Sequence, residues 1–233
     1  MSIERKEAQL RDDICRICAM LYSRGLIRGP SGNVSARLSA DRILLTPGGL
    51  MKFNLHPDQL IVVNLDGEQV GPFTELNRDL KPTSELPMHL EVYQRRPDVG
   101  GVVHAHTSHA VALTAAGLTL RTQVLTEGML FLGVVPNAPY GTPTTTELSD
   151  SIVKLIPNHD AIMLPYHGSI TFGHDVWQAF SRTEVLEQVA EIQYLTRQFG
   201  GEKRLSKANI EKIIELRKKY KHNLASDPEL LKD

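Results

Sequence analysis

Residues 97–117 read PDVGGVVHAHTSHAVALTAAG. Pro97-Asp98 stops a helix, Gly101–His106 is an apolar strand, and His109–Ala116 is a helix of small residues stopped by Gly117. On a strand, side chains at i and i+2 share a face. His104 and His106 therefore project together, while Ala105 turns away into packing. Two imidazoles at this spacing can converge on one cation. Zinc accepts histidine nitrogen at about 2.0–2.1 Å, and a catalytic zinc site keeps three protein ligands and an open position. The plain alternative is two surface histidines on a polar face. Their place at the end of an apolar strand favours the ligand pair.

Working outward, Thr83 or Ser84 caps a helix running to about Arg96. Residues 66–83 are a polar loop or hairpin with Gly67, Gly71, Pro72 and Pro82. Apolar runs at Ile43–Leu45 and Leu60–Leu65 read as strands. RGPSGNVSARLS (28–39) reads as a turn or loop, and a first helix covers about residues 5–24. Downstream, Thr144-x-x-Glu147 has capping-box spacing ahead of a Leu148, Ile152, Leu155 stripe. Ala161–Leu164 and Ser169–Phe172 are strands, and a long helix spans about 174–199, with Glu184, Glu187 and Glu191 on its polar face. A charged helix covers about 206–220, and the final dozen residues read as a loose tail. Strands and helices alternate irregularly, so the class is α/β or α+β, a mixed sheet covered by helices.

The bulk numbers exclude several partners. A chain of 233 residues suits one domain with a short appendage. We divide it into a domain at 1–203 and a C-terminal helix and tail at 204–233. The formal net charge of -1 gives no case for nucleic acid or an anionic membrane as partner. No apolar run spans a bilayer, and the charged start, MSIERKEAQLRDD, lacks the apolar stretch of a signal peptide. Cys15 and Cys18 form C-x-x-C, but Ile14, Ile17, Cys18 and Leu21 follow a helix-face pattern. Cys18 then packs as a small apolar residue, and a cytoplasmic location fits two unpaired thiols.

Further candidates flank the histidine pair. His167, in Leu-Pro-Tyr-His-Gly, follows a second apolar strand and sits in a turn, where site residues gather. Glu85 lies in the first turn of a helix, so it either serves the helix dipole or acts as a general base or a fourth metal ligand. Three glycine-bearing or hydroxyl-bearing loops can offer N–H and O–H groups to a phosphate: Gly29–Asn33, Thr46–Gly49 and Pro82–Glu85.

Together SGNVSAR (31–37), LLTPGG (44–49), PTSELPMH (82–89), VVHAH (102–106), PNAPYGTPTTTEL (136–148) and YHG (166–168) resemble the class II aldolase/adducin family. The likeness runs from Gly29 to about Tyr194 and is strongest to the family's sugar-phosphate aldolases of the fuculose-phosphate type. It implies an α/β fold: a three-layer α/β/α sandwich on a mixed, mostly antiparallel sheet, in a homotetramer with sites at subunit interfaces. It implies one divalent metal per subunit, Zn²⁺ before Mn²⁺, Co²⁺ or Fe²⁺, on His104, His106 and His167. Glu85 falls on the acid/base glutamate, which also approaches the metal. Ser31, Asn33, Gly48, Gly49, Thr83 and Ser84 fall on the loops that hold the phosphate of a phosphorylated sugar. The implied reaction is cleavage of a ketose 1-phosphate, of fuculose, ribulose or 5-deoxyribulose type, to dihydroxyacetone phosphate and an aldehyde.

The resemblance also discriminates. The ribulose-phosphate 4-epimerase branch tends to carry aspartate at the place of Glu85, and adducin-like scaffolds lose metal histidines. Where fuculose-phosphate aldolases have a tyrosine that protonates the aldehyde oxygen, this chain has Glu127. A glutamate near there also occurs in the methylthioribulose-phosphate dehydratase branch. Glu127 is thus a candidate acid/base, and dehydration is the alternative reaction. Tyr220, in the basic C-terminal helix, either reaches a site or packs.

Overall fold

The computed structural model describes residues 3–220 and 222–232. Helix α1, Ile3–Ser23, buries Ile14, Ile17, Cys18 and Leu21 completely, as their spacing requires. Both cysteines are free, and burial pushes the Cys18 thiol far above its ordinary range.

Six strands follow in one sheet. These are β1 Asn33–Arg37, β2 Arg42–Leu45, β3 Ile61–Asn64, β4 Gly101–Ala105, β5 Ala161–Leu164 and β6 Gly168–Gly173. Their order is β3-β2-β1-β4-β6-β5, and each neighbouring pair is antiparallel. Among the described residues, parallel pairing is confined to the isolated bridge Asn137–Met163.

Alternation along the strands sorts the core into two layers. Val34, Ala36, Leu44, Val62, Val103 and Ala105 face α1 and the start of α6, Val176–Thr196. Ile43, Leu45, Val63, Val102, Ile162 and Phe172 face α2, Leu86–Arg95, and α5, Thr146–Ile152. The result is the expected three-layer sandwich. Helix α3, Ser108–Ala115, follows β4 and packs on α6. There the Glu187 carboxylate accepts the His109 and Ala110 N–H groups.

The structure corrects the sequence reading in several places. The segment read as a loop contains β1, the strand between β2 and β4. Its polar residues Asn33 and Ser35 are buried, so the period-two pattern carries no exposed face to advertise it. Thr126–Leu132 forms a short helix, α4, that the reading missed. Thr145, not Thr144, caps α5 by accepting from Glu147 N. Glu187 on the face read as polar is the α3 cap just described. The tail is anchored rather than loose. Helix α7, Lys207–Lys219, buries Ile210 and Ile213 against Met129 of α4, with Leu230. Arg217 pairs with Asp227 at 2.8 Å and donates to the Met129, Leu130 and Asn223 carbonyls.

Candidate metal centre

Strand β4 aims its histidines by simple alternation. Ala105 joins the α1 layer and Val102 the α2 layer, so His104, two residues beyond Val102, points to the α2 side. Glu85 waits there as the residue preceding α2. It makes no capping bond with its side chain. Of the two readings of Glu85, the carboxylate has left the helix end for the histidines. Its Oε2 lies 3.3 Å from His104 Nε2 and its Oε1 3.1 Å from His167 Nε2.

His167 enters from the β5–β6 turn. Tyr166, at φ 61°, holds a left-handed conformation that costs a non-glycine residue roughly 1–3 kcal/mol. Its N–H donates to Thr114 Oγ1 at 3.2 Å, and this turn swings His167 inward. Gly168 then lets β6 close on β4, because a Cβ there would stand 2.3 Å from the Ala105 carbonyl oxygen.

The three rings lie 4.6–4.8 Å apart between centroids. One ligand atom from each of Glu85, His104, His106 and His167 lies within 4.8 Å of all the others. His104 Nδ1–H donates to the Ser169 carbonyl at 2.9 Å, which leaves the Nε2 lone pair facing the cluster. His106 Nε2 faces that same nitrogen at 2.9 Å. Burial lowers the pKa of His104, and burial with the neighbouring His104 and His167 lowers that of His106 to about 3. Burial alone would raise the Glu85 pKa. The charge of His104 and hydrogen bonds from His167 and Asn33 overcome it and hold the carboxyl well below the usual range. Once a cation displaces the protons shared with Glu85, three neutral imidazoles and one carboxylate offer the donor set a divalent cation takes. The residues therefore fit a metal ion. His167 Nδ1 is buried without a protein partner.

The expected phosphate loops meet beside this cluster. Pro47 bridges Pro82, and Gly48 N–H donates to the Lys81 carbonyl at 3.0 Å. Asn33 Nδ2 donates to Thr83 Oγ1 at 3.2 Å and to Glu85 Oε2 at 2.7 Å. Ser31 Oγ closes its own turn on the Arg28 carbonyl at 2.6 Å. Gly49 and Ser84 are exposed. Glu127 stands apart from the four clustered ligands, exposed in the first turn of α4. Tyr220 is 60 % exposed at the end of α7.

Lys52 and His89 are among the buried polar residues that escaped the sequence reading. Lys52 donates to the Pro30 and Leu50 carbonyls at 3.2 and 2.7 Å, tying two of the loops together, and burial lowers its pKa. His89 is fully buried and contacts Asn33 and Ser35. Its place four residues after Glu85, on one helix face, was the available signal.

Known proteins similar to this chain include sugar-phosphate aldolases. An L-fuculose phosphate aldolase of Methanococcus maripaludis is 33% identical over 183 residues, 78% of this chain and 95% of the relative. A 5-deoxy-D-ribulose 1-phosphate aldolase of Bacillus thuringiensis is 31% identical over 207 residues, 87% of this chain and 92% of the relative. A solved L-fuculose 1-phosphate aldolase superposes with a TM-score of 0.81 at 26% identity, covering 92% of this chain and 97% of that one. Residues 12–194 match the model of the Class II Aldolase and Adducin N-terminal domain. With its histidine-glutamate cluster set on the α/β/α scaffold, the chain belongs to the class II aldolase/adducin family.

Proposed function

We propose that the protein is a metal-dependent aldolase that cleaves a ketose 1-phosphate to dihydroxyacetone phosphate and an aldehyde. The observation that carries this reading is the Glu85 carboxylate turned onto three converging imidazoles. The names of the similar proteins, fuculose-phosphate and deoxyribulose-phosphate aldolases, support it. His104, His106 and His167 would hold the metal, with Glu85 beside it. Zn²⁺ is our first choice, although imidazole ligands also suit Mn²⁺, Co²⁺ and Fe²⁺. Such a cation supplies Lewis-acid stabilisation for the enediolate left when the carbon–carbon bond breaks.

The chain's own groups do the rest. The low pKa of Glu85 keeps it a carboxylate at neutral pH. In the condensation direction it takes the carbon-bound proton of dihydroxyacetone phosphate, and in cleavage it returns that proton. Ser31, Asn33, Gly48, Gly49, Thr83 and Ser84 form the phosphate end, with Ser84 and Gly49 as its exposed donors. Binding there, remote from the reacting bond, orients the substrate. Glu127 is assigned to the aldehyde end, supplied across a subunit interface of a homotetramer. The exposed Tyr140 and Tyr166, with ring centroids 6.4 Å apart, support a packing surface near His167.

The test is a product-resolved assay of the metal-loaded protein on fuculose, ribulose and 5-deoxyribulose 1-phosphates. Release of dihydroxyacetone phosphate is expected. Loss of water with an intact carbon skeleton would replace aldol cleavage by dehydration. Glu85→Gln should keep the metal and lose roughly 10²–10⁴-fold in turnover. Unchanged turnover would remove Glu85 from the chemistry.

A further inference from the structure

Behind Glu85 runs a buried line of polar groups that reaches away from the metal cluster. Tyr93 Oη lies 2.9 Å from Ser35 Oγ, which lies 2.7 Å from His89 Nδ1. On the other side of the ring, His89 Nε2 lies 2.5 Å from Asn33 Oδ1, and Asn33 Nδ2 lies 2.7 Å from Glu85 Oε2. Ser35, His89, Tyr93 and Asn33 are all at most 3 % exposed. Four polar residues of β1 and α2 are thus joined in one chain that ends on the Glu85 carboxylate.

The chemistry of the groups gives that chain one direction. An ionised carboxylate only accepts. Asn33 must therefore turn its NH₂ to Glu85, which turns its oxygen to His89. A carbonyl oxygen only accepts, so His89 carries its proton on Nε2. The bare Nδ1 then accepts from the Ser35 hydroxyl, and Ser35 in turn accepts from the Tyr93 hydroxyl. Each assignment forces the next, and no buried atom along the line meets a like partner.

We propose that His89 is a positioning residue for Glu85, acting through Asn33. It locks the Asn33 amide in the flip that pins Oε2. Oε1, on the His167 side, is left to move the proton. A line serving only to glue α2 to β1 would not care which way the Asn33 amide faces, whereas a reacting carboxylate does. The same line explains why Asn33, assigned to the phosphate loops by resemblance, spends both ends of its amide inside the protein. The inference rests on the acid/base role proposed for Glu85 and deepens it.

Two measurements test it. In the unaltered full-length protein, ¹⁵N–¹H correlation of ring nitrogens should show His89 as the Nε2–H tautomer, identified by the signal that His89→Gln removes. An Nδ1–H tautomer would overturn the proposal, and this readout does not depend on any substrate. In the metal-loaded enzyme, His89→Phe and Ser35→Ala should lower kcat about 10–100-fold, the usual loss when a partner behind a site is removed. KM and metal content should stay at the wild-type level. His89→Gln, whose amide both donates and accepts, should recover most of the loss. An unchanged kcat, or a fall shared by all variants with lost metal, would reduce the line to a structural one. Should the wild type cleave no ketose 1-phosphate, the function proposed above fails by itself, while the tautomer still decides the polarity of the line.

Discussion

The two ends of strand β4 each carry a buried polar cluster, and they are built on opposite plans. At the start of the strand, Arg96 meets Asp98 at 2.8 Å and Asp160 at 3.0 Å, and Arg182 meets Asp160 at 2.7 Å. Two guanidiniums face two carboxylates, and the spare N–H groups go to the Ile156, His159, Phe131 and Phe172 carbonyls. Every donor there finds an acceptor inside the chain. At the end of the strand, Glu85 and three imidazoles bring lone pairs together. His104 Nε2 and His106 Nε2 face each other with room for at most one shared proton. A cluster that closes on itself holds a fold together. One that gathers electron pairs on a point is built to hold something else.

Removing a ligand at the open end should give the largest effect. His106 lies past the last residue of β4 and is only partly buried, so His106→Ala should fold normally by circular dichroism. Metal analysis should show lost occupancy, and turnover should fall at least ~10³-fold, because Lewis-acid stabilisation is worth several kcal/mol. Full occupancy in this variant would contradict the ligand assignment. At the closed end, Asp160→Asn should reverse the pattern. Breaking a buried ion pair costs about 3–5 kcal/mol, read as a lower urea midpoint, with wild-type metal per folded molecule. If metal were lost as well, the two ends would not be independent.

How far each end shows in the sequence follows from this difference. The His104-x-His106 spacing is local, and two-residue periodicity alone places both rings on one face. His167 and Glu85 lie far from that pair along the chain, and only the family resemblance joined them to it. Strand β1 was hidden because its polar face is buried, so Asn33 and Ser35 look like loop residues although they pack beneath α2. His89 was passed over because its partners Asn33 and Ser35 lie on β1, more than fifty residues away, and only its spacing from Glu85 hinted at a role. The closed cluster was invisible for the same reason. Arg96 and Asp98 are neighbours, but Asp160 and Arg182 reach them only through the sheet. Residues 126–132 gave no signal because α4, unlike the equally short α5, has Leu125 rather than a capping hydroxyl at its start.

Acid should also separate the two ends. His89 and His106 have pKa values near 3 in the folded chain, against about 6.5 when unfolded. Below pH 6.5 the unfolded chain takes up protons that the folded chain refuses. The stability these residues contribute is therefore complete above that pH and drains as pH falls toward 3. Each residue contributes a slope of about 1.4 kcal/mol per pH unit in that window. Urea midpoints of the metal-free protein between pH 6.5 and 4 should show the drain, and His89→Gln should lessen it by one proton's worth. Guanidiniums stay charged throughout, but burial and the neighbouring Arg182 also push His222 at the closed end down to about 4. The difference made by His89→Gln, not the total slope, therefore reports the histidine end. An identical slope in His89→Gln would mean that His89 is not held neutral.

The smallest effect lies at the rim of the closed cluster. Asp98 receives Arg96 through two bonds of 2.8 Å, Nε to Oδ1 and Nη2 to Oδ2. The hydrogen bond from Arg96 holds its carboxyl below the usual range. Yet the Asp98 side chain is 64% exposed, against 4% for Asp160. Water screens the outer pair and leaves the inner one at full strength. Arg96 also keeps Asp160 and two carbonyls when Asp98 is gone. Asp98→Asn should therefore cost only about 0.2–1 kcal/mol, and the cost should shrink further at high salt. Asp160→Asn should keep its cost in the same salt. If the two substitutions cost alike and fade alike, Asp160 is not the centre that closes this end of β4, and the contrast with the open end loses its physical basis.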